Sequence, residues 1–209
     1  MYKDFKQLIY RLIIPFIRIY KFINWRYYLI TCKEVKLIIG AGPTKYKGWF
    51  STDIATLDVT KESDFERYFS KNKIKNVLAE HVLEHLNNED LEKMIRNLYK
   101  YSNDNINIRI AVPDGFHQDE NYISVVKPGG KGEGAHEHKN LFNVNSLSNL
   151  FEKFGFIAHP VEYWNENKIF HQGYSNDQNG YIIRSFKNDK RNIDGQPNYT
   201  SLIIDFKKK

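Results

Sequence analysis

One cysteine, two methionines and six prolines stand among 209 residues. A single thiol, Cys32, cannot build an internal disulfide framework and fits a reducing, cytoplasmic compartment. Its expected use is as a small apolar filler, not a nucleophile. Long apolar runs are also missing. In the first 30 residues a charge recurs every three to seven positions, so nothing approaches the ~20 apolar residues that cross a bilayer. A signal peptide is disfavoured in the same way, because Arg11 interrupts the apolar stretch and no small-residue cleavage site follows. Lysine and arginine number 31 against 25 acids, a formal charge of +6, but the excess is local. Lys3, Lys6, Arg11, Arg18, Lys21 and Arg26 face one acid, Asp4, within residues 1–30, and the remainder is near neutral. A basic surface spread over a folded face is therefore lacking, and no nucleic-acid partner is expected.

What is present is enough to pack one core: 41% hydrophobic residues, 15% of all residues being aromatic. Residues 1–30 read as a basic amphipathic helical extension, and 31–209 as a single domain. Two readings of the extension stand open. It is an interfacial helix on an anionic surface, peripheral at the inner membrane face, or a helix pair broken near Pro15 that packs on the sheet or on a second subunit in a homodimer.

Beyond residue 30, short apolar runs alternate with amphipathic stretches. Strands are expected at 35–39, 49–54, 57–59 (very short), 76–79, 106–112, 156–164, 181–185 and 201–206, and helices at 62–69 and 90–101. A further helix ending at Phe154 is expected to be capped by Asn145 or Ser146. A long segment at 115–143 reads as a functional loop. This alternation predicts an α/β fold with a mostly parallel sheet and an antiparallel C-terminal edge.

The first strand runs straight into Gly40-Ala41-Gly42-Pro43. Glycine there lets the backbone turn sharply and approach a ligand. Asp53, at the end of the next strand, is placed to accept ribose hydroxyls, and Asp58 to meet an adenine amino group or the ribose. A dinucleotide turn would need a third glycine at position 45, which is lysine, and a helix for the pyrophosphate, for which residues 43–48 are too few. A cofactor without phosphates remains.

Residues 35–43, Gly48-Trp49-Phe50-Ser51-Thr52-Asp53-Ile54, Ala79-Glu80-His81-Val82-Leu83-Glu84-His85-Leu86 and Arg109-Ile110-Ala111-Val112-Pro113-Asp114-Gly115 carry a resemblance. With Pro128-Gly129-Gly130, Glu162-Tyr163-Trp164 and 199–205, they resemble the class I (Rossmann-like) SAM-dependent methyltransferases, in particular a bacterial branch associated with cell-surface polysaccharide synthesis. The resemblance implies S-adenosylmethionine (SAM) as cofactor, with Gly40, Ala41 and Gly42 bordering its methionine part. It also implies Asp53 on the ribose, Asp58 near the adenine, and Glu80 and His81 as the wall beside the methyl. The implied reaction is O-methylation of a saccharide or small-molecule acceptor.

An alcohol acceptor needs a base, and His81 is the first candidate, with His136 and His138 next. Histidines two apart in extended chain point the same way, so a metal held by His136 and His138, with Glu133, Glu137 and His117 in the same cluster, is a further alternative to solvated or substrate-contacting histidines. His81-Val82-Leu83-Glu84-His85 also matches the inverted zinc-protease pattern, so a zinc hydrolase using His81, Glu84 and His85 is a minor alternative. Against it, His81 falls at a strand-to-helix turn and not within a helix. The sequence assigns no metal ligand. A non-catalytic SAM-binding scaffold recruited through its N-terminus to a membrane or partner is the other alternative.

Overall fold

A computed structural model describes residues 2–69, 73–192 and 194–209. The side chains of 1–12, 14 and 18, which include the expected basic groups Lys3, Lys6, Arg11 and Arg18, lie outside the described residues.

Its centre is a seven-stranded sheet in the order β2-β1-β3-β4-β7-β5-β6. The strands are β1 (Val35–Ile39), β2 (Phe50–Ser51), β3 (Ile74–Glu80), β4 (Ser102–Pro113), β5 (Phe156–Trp164), β6 (Phe170–Gln172) and β7 (Ser201–Lys208). The first four are mutually parallel, and β7 enters antiparallel between β4 and β5, with β6 antiparallel to β5. The α/β sheet expected from the alternation, antiparallel edge included, and the Rossmann-like arrangement implied by the resemblance are what the chain forms.

One face carries helices. The helix α1 (Tyr2–Thr31) buries Trp25 and Leu29, with Trp25 wedged against Phe50, Tyr68 and Phe69. The short α2 (Glu62–Tyr68) adds Phe65, and α3 (Asn88–Tyr101) adds Leu91, Met94, Ile95 and Leu98 at helical spacing. The side chain of Asn87 accepts from the Asp90 amide and caps α3. The helix α5 (Val144–Glu152) starts from a capping box at Asn143 with Ser146, two residues earlier than Asn145. Cys32 is partly buried against this core, as a filler would be.

The opposite face is covered differently. Ile38, Leu78, Ala111 and Ile203 lie under Tyr174 and Ile182, which belong to the long segment 173–200. Among its described residues that segment carries only a short 3₁₀ turn at Lys190–Asn192, so side chains and not a ladder satisfy much of its backbone. The fully buried Arg109 of β4 donates to both oxygens of Asp205 (2.7 and 2.8 Å), to Asp177 and to the Gly180 carbonyl. A β-bulge in β5 near Val161 accompanies the buried Glu162, whose Oε1 accepts from the Phe186 amide at 2.8 Å.

Several expectations are corrected. The helix α1 runs through Pro15 as one helix, not a broken pair. Residues 57–59 form a buried turn, not a strand, and 181–185 forms none either. The 115–143 segment contains a helix, α4 (Glu120–Val126), started by Asp119. No described helix is long and apolar enough to cross a membrane.

Candidate functional site

In the order β2-β1-β3, the chain crosses from one side of β1 to the other, so the crevice between the carboxyl ends of β1 and β3 is a topological switch point. Ligands of open α/β sheets bind at such crevices. Gly40 (φ 58°) and Gly42 (φ 51°) turn the chain there in the left-handed region. A Cβ on Gly40 would stand 2.6 Å from a Val82 methyl, whereas one on Gly42 would meet nothing within 4 Å. The first glycine therefore lets two turns nest, and the second leaves bare main chain facing open space. Thr52 holds the bend in place, donating to the Ile38 carbonyl through its amide (2.7 Å) and accepting from the Ala41 amide (2.9 Å).

That main chain borders a cavity of about 360 Å³, within the usual size for small-molecule sites. Its walls are the 40–44 turn, Glu80-His81, Glu84-His85, His138 and Ile183-Arg184. Across Ala41 and Gly42 lies a second cavity of about 490 Å³, lined by Tyr46, Trp49, Asp53 and Lys21 of α1. A ligand can straddle the bend and occupy both. The glycine cradle thus fits an adenosyl cofactor.

Asp53 faces this second cavity. Its Oδ1 accepts from the Ala55 and Thr56 amides, and its Oδ2 accepts from Lys21 at 2.6 Å. Partial burial pushes the carboxyl up, but Lys21 and the amides outweigh it and hold it below the usual range. Asp58 lines neither cavity. It accepts from the Thr60 amide and hydroxyl and pairs with Lys61, so it closes its own turn, away from both spaces. Glu80 lines the first cavity, but its oxygens accept from the Ile183 and Arg184 amides at 3.0 and 2.7 Å, holding that segment as a roof.

His81 adopts φ 54°, uncommon for a residue with a side chain, and its amide donates to the Ala111 carbonyl at 2.8 Å. Its Nε2 lies 3.0 Å from the Ser201 hydroxyl and its Nδ1 3.2 Å from Glu84 Oε1. Ser201 is fully buried in β7, so this Ser–His–Glu chain offers no accessible nucleophile and instead fixes the ring. Residues 83–85 form a 3₁₀ turn, so His81 and His85 do not share one face of a regular helix, as the zinc-hydrolase reading requires.

The loop histidines separate. Residues 135–137 form another 3₁₀ turn, which points His136 outward, 76% exposed, and His138 inward, 8% exposed. His136 does not line the cavity, whereas His138 does. Two of the walls have no clear signal in the sequence: its spacing pairs Glu84 and His85 with His81 only, and Ile183-Arg184 has the pattern of a strand. The buried position of Glu84 within a 3₁₀ turn has no signature in a single sequence. Burial favours its protonated form, but the facing imidazoles win and hold its carboxyl below the usual range.

No family model matches the chain, and no curated protein matches it. Solved structures align with it over most of its length at TM-scores below 0.5. A SAM-dependent methyltransferase from Archaeoglobus fulgidus aligns with a TM-score of 0.48 at 16% identity over 97% of this chain and 94% of that one. A Thermotoga maritima protein described as a SAM-dependent methyltransferase, possible histamine N-methyltransferase, aligns at 0.49 and 11% identity over 100% and 96%. An S-adenosylmethionine-dependent methyltransferase from Mesorhizobium loti aligns at 0.44 and 9% identity over 84% and 81%. At such identities no residue role carries across, and the functional reading rests on the geometry of the switch-point cavity.

Proposed function

We propose that this chain is a class I methyltransferase that binds SAM across the Gly40–Gly42 bend and methylates an oxygen of a small or saccharide acceptor. One observation carries the reading: bare main chain at the switch point opens onto a cavity whose far wall is imidazole and carboxylate. SAM supplies an electrophilic methyl group on a sulfonium. Gly40, Ala41 and Gly42 give it room and main-chain contact, and Asp53 offers an anionic acceptor for ribose hydroxyls in exchange for Lys21. Glu80 keeps the Ile183-Arg184 roof down and water out. His81, with both ring nitrogens engaged, is a positioning residue. His138 lines the same cavity and is the base candidate for an acceptor hydroxyl. The saccharide, and a place in polysaccharide synthesis, are supported by the sequence resemblance alone.

Calorimetric titration of SAM tests this. One equivalent is expected to bind. Asp53→Ala should weaken binding at least ~10-fold, since hydrogen bonds to a charged group contribute ~1.5–3 kcal/mol. Lys21→Met should strengthen it by no more than ~5-fold, the worth of a half-exposed ion pair. Absence of binding to the unmodified chain would sink the reading.

Recruitment to an anionic membrane surface is a second reading, and one feature favours it. Along α1 the large apolar side chains of Phe16, Ile19, Tyr20, Ile23, Tyr27 and Ile30 are exposed, with the exposed Arg26 among them. Cosedimentation with vesicles containing anionic lipid, lost on deleting residues 1–23 or in neutral vesicles, is the expected result. Equal pelleting of the deletion variant would dismiss it.

A further inference from the structure

Glu84 poses a problem that the adenosyl reading does not solve. Its side chain is fully buried, yet neither carboxylate oxygen has an aligned hydrogen-bond partner. Burying an unsatisfied carboxylate costs several kcal/mol unless a cation or a proton meets it. Two imidazole nitrogens stand near it, His81 Nδ1 at 3.2 Å and His138 Nε2 at 4.0 Å.

The state of His138 can be read from its other nitrogen. Its Nδ1 lies 2.7 Å from the Val126 carbonyl, which can only accept, so Nδ1 carries the proton. In the neutral ring Nε2 is then a bare lone pair, and it looks at a carboxylate oxygen. A carbonyl behind Nδ1 that leaves Nε2 free to ligate is the usual outer-shell arrangement of a metal-binding histidine. His85 completes the group, its ring edge-on to that of His138 at 4.7 Å between centroids. One ligand atom from each of Glu84, His85 and His138 lies within 4.8 Å of the others. An ion bonded at ~2.0–2.2 Å needs donors ~3–4.3 Å apart, which a small side-chain rotation supplies.

The backbone prepares this meeting of segments 53 residues apart. The Lys139 and Asn140 amides both donate to the Glu84 carbonyl (2.7 and 3.2 Å), and Asn140 Nδ2 donates to the Leu86 carbonyl at 2.6 Å. The loop that bears His138 is thereby strapped to the turn that bears Glu84 and His85. His136, two residues away, takes no part.

We infer that Glu84, His85 and His138 form a divalent metal site in the wall of the switch-point cavity. Two imidazoles and one carboxylate suit a first-row ion such as Mn²⁺, Fe²⁺ or Zn²⁺ better than Mg²⁺, which prefers oxygen. Three protein ligands leave coordination positions open toward the cavity, where an oxygen-bearing acceptor can enter. The set differs from the inverted zinc-protease pattern, because His81 bridges Ser201 and Glu84 through its two ring nitrogens and His138 takes its place as the second imidazole.

The test is titration of Mn²⁺ and Zn²⁺ into chelator-treated full-length protein by calorimetry, with SAM titrated separately into the same samples. One equivalent of at least one of these ions should bind, and binding should weaken at least 100-fold in Glu84→Gln and in His138→Ala. His136→Ala should bind as the unmodified chain does. Circular dichroism and SAM affinity serve as controls, so a variant that loses the metal but keeps both reports on the site and not on folding. Metal binding without SAM binding would retain this site while removing the adenosyl reading. Failure of both ions to bind the unmodified chain, or equal binding by Glu84→Gln and His138→Ala, would overturn the inference and leave Glu84 paired with a protonated imidazole.

Discussion

Arg109→Ala is expected to lower the unfolding free energy by about 3–5 kcal/mol in urea denaturation, because it strips the buried Asp205 carboxyl of its partner. Arg109 stands in the middle of β4, 2% exposed, with its guanidinium shared among Asp205, Asp177 and the Gly180 carbonyl and stacked near Tyr174. The planar fork of arginine can meet two carboxylates with paired, parallel donors, which the point-like ammonium of lysine cannot. Truncation also unfastens the 177–180 turn from the sheet. Ile183 and Arg184, the roof of the cavity, follow three residues later, so SAM affinity should fall with stability. Replacing Asp205 as well, by leucine, should restore part of the loss by removing the stranded carboxyl. A loss below ~1 kcal/mol would show that the cluster is solvated and does not anchor the segment.

A second large effect should come from Glu162. Burial pushes its carboxyl up to about 8 from the ordinary 4.5. One oxygen accepts from the Phe186 amide, and the other, Oε2, has no partner. The sign follows from proton counting. Between pH 4.5 and about 8 the folded chain keeps this proton while the unfolded chain releases it. Stability from this group is therefore complete below that window and falls as pH rises through it, by on the order of a few kcal/mol. Glu162→Gln, which keeps the acceptor for Phe186 and cannot ionise, should be more stable than the unmodified chain at pH 8 and nearly equal to it at pH 5. Thermal melts across this range decide the matter, and parallel pH curves for the two proteins would contradict the assignment. His117 acts at the other end. Burial pushes it down to about 4, so it is neutral in the fold, and stability should also decline as pH falls from 6.5 toward 4.

Where a segment's own residues decided its conformation, the sequence was readable. Val35–Ile39 and Phe156–Trp164 form strands with the expected limits, bounded by glycine or by a turn on at least one side. The amphipathic α3 lies within two residues of its expected start. Distant partners decided the rest. Residues 181–185 look like a strand, but the Glu80 carboxylate, about a hundred residues earlier in the chain, takes the Ile183 and Arg184 amides that a neighbouring strand would have used. The α4 helix has seven residues and buries only Tyr122 and Val126, too few for a helical period to show. Asp53 was found because glycine turn and acid follow each other closely, whereas its engagement by Lys21 depends on where α1 docks. The pairing of Glu84 with His138, and the exclusion of His136, required the strap between residues 84–86 and 139–140.

The direct measurement is a cocrystal structure with S-adenosylhomocysteine. The account predicts ligand density along Gly40, Ala41 and Gly42, with ribose hydroxyls on the Asp53 carboxylate and Lys21 displaced from it. Ligand density elsewhere on the sheet, or a Lys21–Asp53 pair intact beside a ribose bound by other groups, would contradict it.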